Sequence, residues 1–215
     1  MVERVYPDGM ARYFEVHPAN PQRRSIGQVA QILRDGGLVA YPTDSAFALG
    51  CTMGNKDGLD RIRRIRRLTD KHHFTLVCSE FAQLGQYVQM DNDVFRAIKA
   101  LTPGPYTFIL PATREAPRAM LQPKKRTVGV RVPSHITALA LLDELEEPLM
   151  SSTLILPDEE DPLMEGYIVD HEVGASVDAI LDSGDCGYGP TTVVDLSGDE
   201  PEIVRRGAGD PSPFE

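Results

Sequence analysis

The chain has 215 residues and 41% hydrophobic residues, enough to bury the core of one domain without a disulfide or metal staple. Its formal net charge of -10 favours solubility and disfavours nonspecific binding to nucleic acid. No stretch reaches the roughly 20 apolar residues that cross a bilayer, and the N-terminus lacks a basic region followed by an apolar run. We therefore expect a cytoplasmic protein with no membrane partner.

The cysteines exclude two further classes. Cys51, Cys78 and Cys186 are an odd number and show neither CxxC nor Cys/His metal spacing. Each is predicted to be a small buried apolar residue. The sequence thus predicts no disulfide framework and no protein-bound metal.

The first third of the chain alternates helix, strand and helix patterns. Residues 23–34 have apolar residues at helical spacing, and the pair Gly36-Gly37 ends that pattern. Residues 38–51 begin as a short apolar strand. Residues 57–68 are predicted to form a second helix with Asp57 as its N-cap.

The remainder continues the alternation. Further strands are predicted at 75–78, 107–112, 127–133, 148–156, 179–184 and 191–197, and further helices at 81–88, 94–101 and 136–145. A polar stretch at 157–172 is predicted to be a surface loop or short helix, and 207–215 a Gly/Pro-rich tail. This alternation predicts a single α/β domain, spanning 1–215, with a largely buried mixed sheet.

Within residues 61–73 six cationic side chains stand against one carboxylate: Arg61, Arg63, Arg64, Arg66, Arg67 and Lys71 against Asp70. On a helical wheel Arg66 projects between Leu59 and Ile62, on the apolar side. A buried unpaired charge costs several kcal/mol, so Arg66 is predicted to find an anion or line a wet cleft. Alternatively it snorkels to water or pairs with a carboxylate at the core edge. The outward-facing charges are either a solvated face or an RNA contact; the candidates are Arg63, Arg64, Arg67 and Lys71.

Two strand ends carry candidate ligand groups. After Pro42, the hydroxyls of Thr43 and Ser45 stand where the sheet opens, although such residues also make ordinary turns. Arg131 would share its strand face with Gly129, which leaves room for a ligand. Its guanidinium suits a phosphate or carboxylate, and the alternative is a salt bridge at the sheet edge.

Five motifs in this order resemble the YrdC-like family, over about residues 25–208. They are YPTDSAFALGC (41–51), PGPYTFIL (103–110), TVGVRVP (127–133), TTVVD (191–195) and IVRRGA (203–208). The resemblance implies a twisted α/β fold around a large, concave, positively charged cavity. Members of the family make threonylcarbamoyl-adenylate from L-threonine, bicarbonate and ATP, releasing pyrophosphate, as the first step toward N6-threonylcarbamoyladenosine in tRNA. Some are described as binding double-stranded RNA or tRNA.

The resemblance also implies roles for residues at matching positions. Thr43 and Arg66 would hold threonine or its carbamate. Arg205 would neutralise phosphate near the cavity mouth. Mg²⁺ would accompany ATP, held mainly by phosphates and water. The residues implied on the ATP side are Thr107, Arg131, Ser151 and Ser152.

Two departures from the synthase pattern place the chain nearer the YciO-like branch of the family. The synthase motif Lys-x-Arg becomes Arg66 and Leu68 here, with Lys71, His72 or His73 as replacement charges. The hydroxyl strand PLMSSTLI (148–155) has Ile155 where a synthase has asparagine. We therefore expect weak or altered synthase activity. The alternatives are an RNA-binding protein that acts on tRNA or double-stranded RNA, and a nucleotide- or small-anion-binding module that has lost its chemistry.

Overall fold

A computed structural model describes residues 3–4, 10–69, 72, 74–184, 186–187 and 189–215. The strands are β1 (Glu3–Arg4), β2 (Arg12–Glu15), β3 (Val39–Tyr41), β4 (Ala48–Thr52), β5 (Thr75–Val77), β6 (Tyr106–Pro111), β7 (Thr127–Arg131), β8 (Leu149–Thr153), β9 (Ala179–Asp182), β10 (Thr192–Asp195) and β11 (Glu202–Arg205). The helices are α1 (Arg23–Arg34), α2 (Lys56–Arg66), α3 (Phe81–Leu84), α4 (Asn92–Leu101), α5 (Ile136–Leu145) and α6 (Gly166–Val173). Short 3-10 helices lie at Arg118–Met120 and Ser212–Phe214.

Within the described ranges these strands form one sheet in the order β1-β2-β9-β3-β4-β8-β5-β7-β6-β10-β11. The sheet contains parallel pairs, such as β5 with β7 and β6 with β10, and antiparallel pairs, such as β4 with β8. The predicted α/β class with a mixed sheet is therefore confirmed.

Helices cover both faces of the sheet, but one face only in part. Helices α1 and α5 pack on each other and on one face through buried residues such as Leu33 and Leu142. The opposite face is covered by α2, α4 and α6, which bury Ile62, Ile98 and Val169. The half of the first face beyond α1 and α5 is left for the cavity described below.

Helix α2 differs from its prediction at both ends. Its N-cap is Asn55, not Asp57, because the Asn55 side chain accepts a hydrogen bond from the Gly58 amide at 2.8 Å. The helix ends at Arg66, since Arg67 adopts the left-handed conformation with φ 48°. This early end turns the chain so that Arg66 is the last helical side chain.

Four strands were not predicted: β1, β2, β4 and β11. Strand β4 contains Gly50 and small residues of low strand propensity, and it is held by antiparallel partners on both sides. The predicted tail at 207–215 is packed, since Phe214 is buried and the Tyr106 hydroxyl donates to the Asp210 carbonyl at 3.1 Å. The polar stretch at 157–172 ends in α6, as its short-helix alternative allowed.

Candidate functional site

A cavity lies on the open half of the sheet face. Its floor is built from alternate residues of the adjacent strands β8, β5, β7, β6 and β10. Side chains alternate along a strand, so these residues all lie on the same face of the sheet. In the middle row, Thr75 lies between Ser151 of β8 and Gly129 of β7, and Gly129 lies opposite Ile109 of β6. The empty space is about 750 Å³ including the open mouth. Typical small-molecule sites span about 300–1,000 Å³.

Three arginines from three different elements line this cavity: Arg66, Arg131 and Arg205. They come from the end of α2, the end of β7 and the end of β11. No aspartate or glutamate is among the described residues that line the cavity. The arrangement is cationic and suited to a multiply charged anion.

Arg66 crosses from the helix side of the sheet into the cavity. Its Nε donates to the Ile155 carbonyl at 3.3 Å, and its Nη1 donates to Ser152 Oγ. The His72 ring nitrogen Nε2 lies 3.4 Å from Nη1. Burial, and then the charge of Arg205, lowers the pKa of Arg66 to about 10. The guanidinium is still charged at neutral pH, and an anion would offset its desolvation.

Arg131 is held from behind by a carboxylate. Its Nη2 donates to Asp44 Oδ1 at 2.5 Å, and its Nη1 donates to Ser45 Oγ at 3.1 Å. Both side chains of the ion pair are nearly buried, at 7% and 11% exposure, and Ser134 donates to the second Asp44 oxygen. The Nε of Arg131 is buried with no partner among the described residues. Arg131 therefore forms the salt bridge that was one alternative, and it also lines the cavity, as the ligand-binding alternative requires.

Arg205 is hydrogen-bonded to Thr191, which lies just before β10 and contacts Thr107 of β6. Its Nε and Nη2 donate to the carbonyl and the hydroxyl of Thr191, both at 3.0 Å. The Thr191 hydroxyl in turn lies 3.0 Å from the Thr107 hydroxyl. Partial desolvation, and then the charge of Arg131, lowers the pKa of Arg205. Arg205 is thus close enough to both Arg66 and Arg131 for electrostatic repulsion across the cavity.

Three further hydroxyls in the cavity wall form hydrogen bonds within the protein. Burial raises the pKa of Tyr41 to about 12, so its hydroxyl stays protonated and lies 2.9 Å from Ser151 Oγ. Ser151 donates to the Leu49 carbonyl at 2.9 Å. Thr43 donates to the Ala46 carbonyl at 2.7 Å, which closes the turn after β3. Thr43 and Ser151 line the cavity as predicted candidates, but mainly as framework.

Ser152 does not line the cavity, contrary to the expectation that it and Ser151 both would. Side chains alternate along β8, so adjacent residues cannot face the same way. Ser152 lies 6% exposed on the α2 side, where its hydroxyl contacts Arg66 and lies 3.0 Å from His72 Nε2. Its place in the structure is that of a support for Arg66.

The outward arginines of α2 are largely paired within the chain. Arg63 donates to Asp60 at 2.7 Å and lies over the Phe74 ring at 5.2 Å. Arg67 makes an exposed ion pair with Asp158 at 3.4 Å. Arg64 is exposed and contacts only the Asp60 carbonyl, at 3.4 Å, among described residues. Lys71 and His73 lie outside the described residues.

The departures from the synthase pattern fall on opposite sides of the sheet. Leu68 is half-buried against the core behind the cavity, so no cation stands at that position. Ile155 and Phe74 both line the cavity near Arg66. His72 lines it too, edge-on to Phe74 with ring centroids 5.3 Å apart.

Several lining residues were not singled out in the sequence. The sequence could have indicated two of them, because Thr75 and Thr153 alternate with core residues in predicted strands. Tyr41 belongs to a quoted motif, but strand order was needed to bring it to Ser151. Asp44, in the same motif, does not line the cavity and pairs with Arg131 from behind. The remaining unpredicted lining residues are Ala48, Phe74, Val77, Ile109, Thr191 and Val193.

Neither a metal cluster nor a membrane span is found where the structure is described. No group of three or more His, Cys, Asp or Glu side chains there could hold a metal ion. No helix in the same residues is long and apolar enough to cross a bilayer.

The fold and the cavity define an α/β domain with a cationic cavity on the open half of a mixed sheet. The chain belongs to the Sua5/YciO/YrdC family, whose model, described as "Telomere recombination", matches residues 31–207. The predicted family is thereby confirmed.

Both branches of that family are represented among similar proteins. Uncharacterized protein YciO of Escherichia coli K12 is 47% identical over 205 residues, covering 95% of this chain and all of that protein. The crystal structure of E. coli YciO superposes with a TM-score of 0.93 over 96% of this chain and all of that one. A threonylcarbamoyl-AMP synthase of Coxiella burnetii is 31% identical over 169 residues, 78% of this chain and 88% of that protein. P. abyssi Sua5 complexed with L-threonine is 25% identical, with a TM-score of 0.84 over 91% of this chain and 57% of that one.

Proposed function

We propose that the cavity binds ATP together with an amino-acid carbamate and forms a carbamoyl-adenylate, as a threonylcarbamoyl-AMP synthase does. The observation that carries the proposal is the convergence of Arg66, Arg131 and Arg205 on one sheet face. The similarity to a named threonylcarbamoyl-AMP synthase supports ATP and threonine-like substrates. A cytoplasmic location fits this activity.

The chemistry requires neutralisation and alignment more than a covalent nucleophile. The amino group and bicarbonate give a carbamate with loss of water. A carbamate oxygen then attacks the α-phosphorus of ATP, the bond from that phosphorus to the bridging oxygen of the β-phosphate breaks, and pyrophosphate leaves. Several anions meet in this step, so guanidinium groups fixed in advance lower its barrier.

The arginines divide this work by position. Arg131 and Arg205 face the Thr107 and Thr191 end of the cavity and are assigned the phosphates. Arg66 lies at the Ile155 end and is assigned the carboxylate or carbamate. Mg²⁺ would supply charge neutralisation on the phosphates and would be held by them and by water.

The first test is pyrophosphate release from ATP in the presence of bicarbonate and an amino acid. With threonine we expect release at a rate about 10- to 100-fold below that of a true synthase measured beside it, because Ile155 cannot hydrogen-bond. Reactions without amino acid and without bicarbonate are the controls. If a panel of amino acids including threonine and valine gives no release above both controls, the proposed activity is wrong.

RNA is the second candidate partner, and one observation favours it. A shallow groove beside α2 is lined by Arg61, which is paired with Asp178 at 2.5 Å, and by Arg64, which is exposed. Phosphates bound there would make affinity fall steeply with salt. The groove lies outside the cavity, so tRNA or duplex RNA and the small substrates could bind together.

This RNA contact can be assigned to particular arginines by salt titration of tRNA and duplex RNA binding. Arg64→Ala is expected to weaken binding and reduce the salt slope by about 1, the share of one phosphate. The matched variant Arg63→Ala/Arg67→Ala should leave the affinity unchanged, since both side chains are already paired with carboxylates. The groove is excluded as an RNA site if Arg64→Ala binds like the wild type.

A further inference from the structure

Three polar side chains meet where Arg66 crosses into the cavity. Arg66 Nη1 donates to Ser152 Oγ and lies 3.4 Å from His72 Nε2. The same His72 nitrogen lies 3.0 Å from Ser152 Oγ, so the three atoms form a closed triangle of contacts. The side chains come from the end of α2, from β8 and from the connection between α2 and β5. Arg66 and His72 line the cavity, whereas Ser152 lies behind them.

The donors and acceptors in this triangle balance for only one state of the His72 ring. Arg66 Nη1 has two N–H donors and no acceptor, and the Ser152 hydroxyl has one donor. An unprotonated Nε2 accepts from the hydroxyl and from the second N–H of Nη1, so every donor has a partner. A protonated Nε2 would instead face Nη1 as a second donor at 3.4 Å, and the hydroxyl proton would lose its acceptor in the triangle.

The charges that face the His72 ring favour the same state. Arg66 contacts it directly, and Arg205 is close enough to lower the pKa of Arg66. Arg63 lies over the ring of Phe74, to which His72 is edge-on. A second proton on the imidazole would add a fourth positive charge to this group, which repulsion disfavours. The chain neighbours of His72 that lie outside the described residues are Asp70, Lys71 and His73.

These contacts hold Arg66 with one nitrogen turned toward a ligand. Its Nε donates to the Ile155 carbonyl at 3.3 Å, and its Nη1 is engaged by Ser152 and His72. None of the described residues contacts Nη2, so the two N–H donors there can serve a carboxylate. A long side chain loses rotamer freedom when it binds a ligand, and contacts that fix it beforehand reduce that cost.

Resting on the proposed function, we propose that His72 is a positioning residue, a neutral hydrogen-bond acceptor that holds Arg66 for the amino-acid substrate. It does not replace the cation that is missing at Leu68. Protonation would turn the acceptor into a donor with a like charge beside Arg66, which then loses its fixed orientation. Substrate binding therefore weakens as the pH falls through the range in which an imidazole ordinarily titrates. A replacement cation would have the opposite effect, because its charge would form on acidification and strengthen carboxylate binding.

The test is threonine binding with a nonhydrolysable ATP analogue and Mg²⁺, measured by calorimetry between about pH 8 and about pH 5.5. The wild type should bind threonine about tenfold more weakly at the acid end, the value of one hydrogen bond to a charged group. In His72→Gln the amide oxygen can take the place of the Nε2 acceptor and does not titrate. Its affinity relative to the wild type should therefore rise as the pH falls, and this ratio cancels the titration of the ligands themselves.

His171→Gln is the matched control for His72→Gln. His171 lies on α6 with 84% of its side chain exposed, and it does not line the cavity. The same substitution there should keep the pH dependence of the wild type.

Ser152→Ala is a second variant that removes a contact of the triangle without touching the ligand. It should weaken threonine binding about tenfold with little change for the ATP analogue, and Ser152→Thr should recover the affinity by keeping the hydroxyl. Ser183→Ala is its control, because the Ser183 hydroxyl is also buried but has no partner among the described residues. This control should change neither affinity.

The protonation state of the His72 ring is a readout that needs no ligand. Nitrogen-15 NMR of the labelled protein should show an unprotonated Nε2 at neutral pH. Threonine affinity that rises on acidification, or the same pH dependence in the wild type and His72→Gln, overturns the inference while the proposed function stands. Absence of threonine binding at every pH removes the proposed function. The NMR signal then decides the inference, which an unprotonated Nε2 supports and a protonated Nε2 overturns.

Discussion

Replacing Arg131 by methionine is expected to lower the free energy of unfolding by about 3–5 kcal/mol. The substitution leaves the Asp44 carboxylate nearly buried without its ion-pair partner. Replacing both partners, as Arg131→Met/Asp44→Asn, should recover most of that loss, because no unpaired charge then remains. Urea unfolding of the wild type and of both variants measures these differences.

An exposed pair provides the control for this prediction. Arg96 and Asp93 form an ion pair at 3.3 Å with side chains 76% and 92% exposed. Arg96→Met should change the stability by less than about 1 kcal/mol. If Arg131→Met costs no more than Arg96→Met, the Arg131 ion pair does not support the fold. The Arg131→Met/Asp44→Asn variant should still bind ATP poorly, which separates the two roles of this arginine.

The second large effect is expected at Arg66, with the opposite balance between stability and function. Arg66→Met should weaken binding of the amino-acid substrate about 10- to 100-fold, the loss of one charge-assisted contact. Its stability should be unchanged or higher, because burial already disfavours the charged form and lowers its pKa to about 10. Thermal unfolding and the KM for the amino acid measure the two quantities on one preparation.

Arg64→Met on the same helix is the matched control for Arg66. It removes an equal charge from an exposed site outside the cavity. The amino-acid KM of this variant should stay at the wild-type value, whereas Arg66→Lys should recover part of the affinity by keeping the charge. A wild-type KM for Arg66→Met would place the carboxylate elsewhere.

Much of the fold could be predicted because apolar periodicity is a local signal. The helices predicted at 23–34 and 136–145 have the same bounds as α1 and α5. The short strands β2 and β11 could not be predicted, since their residues are partly exposed and are held in strands by pairing with neighbouring strands. The N-cap of α2 was misassigned because Asn55 and Asp57 are both acceptable caps by residue type, and only the backbone decides between them.

At the site, the local sequence pattern predicted the arginines but not the residues that they contact. The helical wheel placed Arg66 on the inward side, where it does line the cavity. The same periodicity argument applied to β8 would have separated Ser151 from Ser152, which lie on opposite faces. Contacts such as Asp44 with Arg131, 87 residues apart in the chain, depend on the strand order and leave no local signal.

In the proposed function, one cavity holds the phosphates and the carboxylate at separate arginines. A crystal structure of the protein with a nonhydrolysable ATP analogue, Mg²⁺ and threonine tests it most directly. We expect the phosphates to contact Arg131 and Arg205, and the carboxylate to contact Arg66. Nucleotide bound elsewhere, or a cavity without ligand density when both ligands are in millimolar excess, would contradict it.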